Sequence, residues 1–241
     1  GCAGVFSEAE LAEGRGIVDH HNTVNSPAAA HGATKNVWLA PLPSGDESYD
    51  DAQLDALRGG TLADCFGPSF GRLPMVHPES LPGGRMRLVH RILSLQAPHG
   101  AEPGRITGEA DIHPDDWFLT CHFVDDMVMP GTLMFECCVH TLRVLLMRMG
   151  WVTEQTGVCY EPVPGVSSTL RCRGPVTPAT RVVTYEVQVK ELGYNPEPYA
   201  IADALVYADG QRIVQFTDMS LKMTGATREE IEAMWRRART L

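Results

Sequence analysis

The sequence predicts an α+β fold in which one long buried helix packs on an antiparallel sheet. Three observations predict it. From Thr132 to about Met149 the chain is apolar around most of a helical circumference, the mark of a helix inside a fold and not on its surface. Val183, Tyr185, Val187 and Val189 alternate with Thr184, Glu186, Gln188 and Lys190, a period of two that makes a strand. Ala208-Asp209-Gly210 separates two strand-like runs, a strong hairpin signal.

The other elements follow in chain order. Ser7 to Leu11 reads as a short helical stretch. Residues 16–46, rich in His, Asn, Ala, Pro and Ser, read as linker or irregular cover. Residues 49–57 suggest a short helix stopped by Gly59-Gly60, with another at Thr61 to Cys65. Strands are expected from Met86 to about Gln96 and from Arg105 to Ile112, then a turn over His113 to Trp117. Pro130-Gly131 breaks the chain, and Thr132 is placed to cap the long helix. Tyr199–Tyr207 and Arg212–Met223 are the hairpin strands. Residues 226–241, acidic first and basic last, suit the dipole of a C-terminal helix. The expected organisation is a junction segment over 1–45, a folded domain over 46–225 and the helix over 226–241.

Composition narrows the function classes. With 241 residues, 44% hydrophobic and 21% charged, the chain is ordinary globular material. A net charge of −10 argues against a nucleic-acid partner, which needs a basic surface. The most apolar stretch, Leu133 to Met149, is interrupted by Glu136, His140, Arg143 and Arg148, so no membrane span is expected. The N-terminus has no signal-peptide pattern. Seven cysteines, two of them adjacent in a helix, fit a reducing cytoplasm better than a disulfide framework. The start without Met suggests a piece excised from a longer polypeptide. His20-His21 lacks a second ligand pair, Cys137-Cys138 reads as core, and no glycine-rich nucleotide loop follows a strand, so no metal or cofactor is expected.

Thr132, Glu136, His140 and Arg143 form one polar stripe on the apolar helix. It has two readings: polar groups satisfied by water or the core, or the lining of a site. In the second, apolar surroundings would raise the pKa of Glu136 and keep it protonated. Its candidate partner, His122, stands fourteen positions earlier. Asp125 and Asp126 are expected to hold the intervening loop through backbone amides. His90, His99 and His113 have no evident partner.

The stretch Trp117-Phe118-Leu119-Thr120-Cys121-His122-Phe123, then Asp126, Val128-Met129-Pro130-Gly131, Leu133 and Glu136, resembles the β-hydroxyacyl-ACP dehydratases of bacterial fatty-acid synthesis. The likeness runs over residues 50–224, through Leu57-Arg58-Gly59-Gly60, Met86 to Ile92 and Ala110 to Pro114, and on through Gly165 to Pro178. Gly131 to Cys138 and Pro198 to Ala204 are similar to dehydratase domains of polyunsaturated fatty acid synthases and related polyketide megasynthases. Cys2 to Phe6 resembles the segment that joins two hot-dog units in those enzymes.

The resemblance implies a hot-dog fold, a long helix wrapped by an antiparallel sheet. It implies dehydration of a (3R)-3-hydroxyacyl thioester to the trans-2-enoyl product, with the substrate on the phosphopantetheine arm of an acyl carrier protein. His122 maps to the family's base and Glu136 to its acid. Gly131 supplies a backbone N–H to the enolate oxygen. Phe123, Val128, Met129, Leu133 and Met134 are candidates for the acyl tunnel, and each is equally a candidate for plain core packing. A homodimer, or a pseudo-dimer with an adjacent hot-dog unit, is expected, because in relatives the two catalytic residues of one site come from two protomers. One departure stands out: decanoyl-type enzymes, which also isomerise the double bond, carry Asp where this chain has Glu136, so isomerisation is not implied. Two other readings share the fold: an acyl thioesterase, and a non-catalytic acyl-binding or structural module.

Overall fold

The computed structural model describes residues 9, 45–71, 73, 79–99, 104–123 and 125–240, the side chains of 239 and 240 excepted. Of the expected helix at Ser7–Leu11, only Ala9, which is helical, lies among the described residues. The rest of that stretch, His20-His21 and most of the expected linker lie outside them.

Helix α1 (Asp51–Arg58) starts at a capping box. Asp50 accepts the Gln53 backbone N–H at 2.9 Å, and Gln53 accepts the Asp50 N–H at 2.9 Å. Leu54 and Leu57 face the core. The stop is as expected: Gly59 caps the helix, and Gly60, at φ +81°, takes the left-handed turn. A short α2 follows at Leu62–Phe66.

The strands are β1 (Glu47–Tyr49), β2 (Arg91–Gln96), β3 (Arg105–Asp111), β4 (Cys159–Glu161), β5 (Thr169–Cys172), β6 (Val182–Gly193), β7 (Tyr199–Ala208) and β8 (Gln211–Thr224). They form one antiparallel sheet in the order β1-β2-β3-β6-β7-β8-β4, with β5 also pairing β8. Asp209 (φ +46°) and Gly210 (φ +83°) turn the β7–β8 hairpin, both in the left-handed region that a two-residue turn of this hand requires.

Three differences from expectation have physical reasons. The strand anticipated from Met86 begins only at Arg91. Before it, residues 84–86 form a 3-10 turn, Leu88 N–H bonds back to Met86 O at 2.9 Å, and the Arg58 guanidinium takes the Val89 carbonyl. Up to Val89 the backbone is committed to side-chain and local bonds, and the first bond across to β3 is from His90 N–H to Glu109 O at 2.8 Å. Strands β1, β4 and β5 carry no signal in the sequence, since runs of three or four residues show no alternation. The long helix α3 (Gly131–Arg148) starts at Gly131 behind Pro130, and no side chain caps it, Thr132 included.

Helix α3 lies in sequence between β3 and β4 and packs on β3, β6 and β8. Its inner residues meet Ile106, Val183, Tyr185 and Val187, all wholly buried, in one core. The closest approach is at Gly108 on β3, where a Cβ would sit 2.7 Å from Thr141 Oγ1. Only glycine lets the helix lie that near the sheet. Helix α4 (Arg228–Thr240) closes the same core with Ile231, Met234 and Trp235. The Trp235 indole N–H donates to Gly150 O at 2.8 Å.

Candidate active site

The loop from Leu119 to Pro130 carries His122 to the start of α3. Its shape is set by main-chain bonds. Phe123 N–H donates to Asp126 O at 3.0 Å, Val128 N–H to His122 O at 3.4 Å, and Met129 N–H to Val176 O at 3.0 Å. Asp126 therefore holds the loop through its backbone; its carboxylate and that of Asp125 form no bonds among the described residues. The peptide between His122 and Phe123 is cis.

His122 is half-buried, and its Nδ1 is sealed from solvent with no hydrogen-bond partner among the described residues. The Phe123 ring stacks beside the imidazole at 4.2 Å between centroids. Phe123 itself is 62% exposed, so in the single chain it lines no acyl tunnel. Met127 and Leu170 are also exposed, Leu170 lying against Gly131. Val128 is half-buried, while Met129, Leu133 and Met134 are buried.

Gly131 is the first residue of α3, and its N–H reaches no acceptor among the described residues. This leaves an uncommitted donor at the positive end of an eighteen-residue helix. Glu136 follows in the second turn with its side chain 40% exposed. His140, one turn further and buried, brings Nε2 to 3.0 Å from Glu136 Oε1. The imidazole of His140 holds the Glu136 carboxyl below the usual carboxylate range, against partial burial that pulls the other way. This corrects the expectation that apolar surroundings raise this pKa. The sequence shows the i, i+4 spacing of the two residues, but the depth to which each is buried is a tertiary property.

His122 and Glu136 form no bond with each other within the chain. The stripe divides instead: Thr132 and Glu136 face outward, whereas His140 and Arg143 are buried. A cavity of about 270 Å³ lies behind the loop, with Met129, Trp117, Phe118 and Tyr185 among its walls. Met129 is the one expected substrate residue that lines it. His90, which had no evident partner in sequence, sits at this cavity and accepts the Asp111 N–H on Nδ1 at 3.0 Å. A second hollow of about 210 Å³ opens over Ser94, Thr107, Gln188 and Asp203.

Among the described residues no helix is long and apolar enough to cross a membrane, and the six cysteines are free. No group of three or more His, Cys, Asp or Glu among them could hold a metal.

Comparison with known proteins agrees with the motif. The FabA-like domain profile matches residues 81–217, more than half of the chain. A polyunsaturated fatty acid synthase polypeptide of a Thraustochytrium species is 28% identical over 222 residues, which is 88% of this chain but only 14% of that protein. Among solved structures, the dehydratase heterocomplex ApeI:P of Xenorhabdus doucetiae aligns with a TM-score of 0.41 at 12% identity, over 69% of this chain and 96% of that one. A hypothetical thioesterase with coenzyme A from Streptococcus pneumoniae aligns with a TM-score of 0.37 at 10% identity, over 54% of this chain and 85% of that one. Structural likenesses this faint transfer no activity.

Proposed function

Because the chain belongs to the FabA-like domain family of hot-dog proteins, we propose that it dehydrates 3-hydroxyacyl thioesters to trans-2-enoyl thioesters. One observation carries the reading. The His122 loop runs directly into a helix whose first N–H is uncommitted, with a half-exposed carboxyl in its second turn.

In this proposal the neutral imidazole of His122 takes the C2 proton of the substrate. The electron pair forms the C2–C3 double bond as the C3–O bond breaks. Charge that develops on the thioester oxygen is held by the Gly131 N–H. The leaving hydroxyl takes a proton from Glu136, directly or through a water, and departs as water. His140 is a positioning residue that fixes the carboxyl.

An acid must be protonated to act, and in the single chain His140 draws Glu136 the other way. A second hot-dog unit would resolve this. Strand β5 is an edge strand whose four residues are all exposed, and Leu170, Phe123 and Met127 are exposed apolar side chains. A copy of the chain, or a neighbouring half of a longer protein, laid on this side would cover Glu136. Desolvation then raises a carboxyl pKa. It would also bring one unit's histidine to the other's acid. The substrate is proposed to arrive on the phosphopantetheine arm of an acyl carrier protein, with no cofactor of the domain's own.

The test is product identity. Wild-type protein is given a 3-hydroxyacyl thioester of N-acetylcysteamine and followed by mass spectrometry and a thiol reagent. Dehydration predicts loss of one water without free thiol. Free thiol with no enoyl product would make the domain a thioesterase, and no reaction from the folded protein would make it a binding module.

A further inference from the structure

The His122 imidazole is held without the hydrogen bond that commonly orients a catalytic histidine. Such a ring usually donates from its far nitrogen to a carboxylate or a carbonyl, which fixes both its tautomer and its direction. His122 Nδ1 is sealed from solvent and meets no acceptor among the described residues. Nε2 is therefore the nitrogen left to face a substrate, and no polar partner on the other side sets the angle of the ring.

What flanks the imidazole is Phe123. The two ring centroids are 4.2 Å apart and the planes meet at 33°, so the phenyl face is turned toward the histidine. Ordinary packing does not account for this side chain. It is 62% exposed, and among the described residues it belongs neither to the core cluster nor to the half-buried apolar groups laid against it. The loop bonds on either side, from Phe123 N–H to Asp126 O and from Val128 N–H to His122 O, use main-chain atoms only. They do not depend on which side chain stands at 123.

The charge beside that phenyl face changes during the proposed reaction. The imidazole is neutral at rest and becomes an imidazolium once Nε2 has taken the C2 proton. An aromatic face carries the negative part of the ring quadrupole and attracts a cation within about 6 Å of its centroid. The neutral ring feels little of this attraction. The contact therefore grows as the proton moves, and an interaction that is stronger in the transition state than in the ground state raises the rate of the chemical step.

We propose that Phe123 is a positioning residue of the dehydration, which orients the His122 imidazole by stacking and stabilises the imidazolium that forms on it. The inference rests on the dehydratase reading and deepens it: Phe123 acts on the base, not on the acyl chain.

The experiment uses the full chain and the 3-hydroxyacyl thioester of N-acetylcysteamine. Wild type is compared with Phe123→Leu, Phe123→Tyr and a series in which position 123 carries phenylalanines of increasing fluorine content. Fluorine drains negative charge from the ring face and leaves the ring shape nearly unchanged. The kcat should fall stepwise with fluorine content, to between about threefold and about thirtyfold below wild type, with KM nearly kept. Phe123→Leu should fall at least as far, and Phe123→Tyr, which keeps the ring face, should stay near wild type. Thermal melts of all variants should match the wild type, and the fluorinated series decides the matter even if Phe123→Leu fails to fold. A kcat that ignores fluorine content overturns the proposal. So does an effect confined to KM, which would make Phe123 a substrate contact. Enoyl product from the wild type together with a level series defeats this inference alone, whereas a wild type that makes no enoyl product defeats the dehydratase reading and this inference with it.

Discussion

The two ends of helix α3 hold their polar groups in different ways. Toward the C-terminal end, Arg143 donates to the carbonyls of Glu79 and Ser80 at 3.0 and 2.9 Å. Arg148 grips Glu47 with two bonds of 2.7 and 2.6 Å. These cations are buried, and their partners come from the chain segments laid over the helix. At the N-terminal end, the Gly131 N–H and His122 Nδ1 stand without partners among the described residues, and Glu136 is partly open to solvent. The C-terminal groups are thus buried and tied to other segments of the same chain, whereas the Glu136 carboxyl stays partly open to solvent. Burial against an internal partner, not polarity itself, separates architecture from site.

If that division is right, substitutions at the two ends should differ in kind. Arg148→Met, which removes both bonds to the part-buried Glu47 carboxylate, should cost about 3 kcal/mol in chemical denaturation and leave the dehydration rate per folded molecule unchanged. Loss of activity in the folded fraction would erase the contrast between the two ends.

Glu79 sharpens the comparison through pH. Burial pushes its carboxyl up to about 8, more than the Thr153 N–H and Arg143 draw it down. The folded state therefore binds this proton more tightly than the unfolded chain does. Its contribution is complete below about 4.5, declines as pH rises and is lost by about 8. Relative to Glu79→Gln, the wild-type Tm should fall across that window and run parallel above it. A difference independent of pH would mean that Glu79 is ionised in the fold.

Asp50→Ala, remote from both ends, should cost about 1 kcal/mol through loss of the α1 cap and leave activity unchanged. The smallest effect is expected from His140→Gln. Without the imidazole the Glu136 carboxyl should rise, and the basic limb of the pH–rate profile should move to higher pH with the maximum rate nearly kept. An unmoved limb would mean that His140 only fills space.

Much of the fold is legible in the sequence because it is local. The Gly59-Gly60 stop, the alternation of β6 and the Asp209-Gly210 turn each rest on residues a few positions apart. What is not legible depends on distant partners. Arg58 claims the Val89 carbonyl and so delays β2, which no window around Met86 reveals. Strand β5 exists because β8 offers it an edge, not because Thr169–Cys172 alternates. At the site, the motif locates His122, Gly131 and Glu136, and the helical spacing places His140 on the same face as Glu136. The direction of the Glu136 pKa is hidden, because it turns on how far each of the two residues is buried. The setting of His90 is hidden for the same reason: its partner is the backbone N–H of Asp111 on the neighbouring strand.

The most direct measurement is the dehydration rate of His122→Ala and Glu136→Gln, each beside a thermal melt, on the same 3-hydroxyacyl thioester. Each variant is expected to melt with the wild type and to lose activity by a factor of about 10² to 10⁴, the usual contribution of a general acid or base. Wild-type turnover from either folded variant would overturn the assignment of His122 and Glu136.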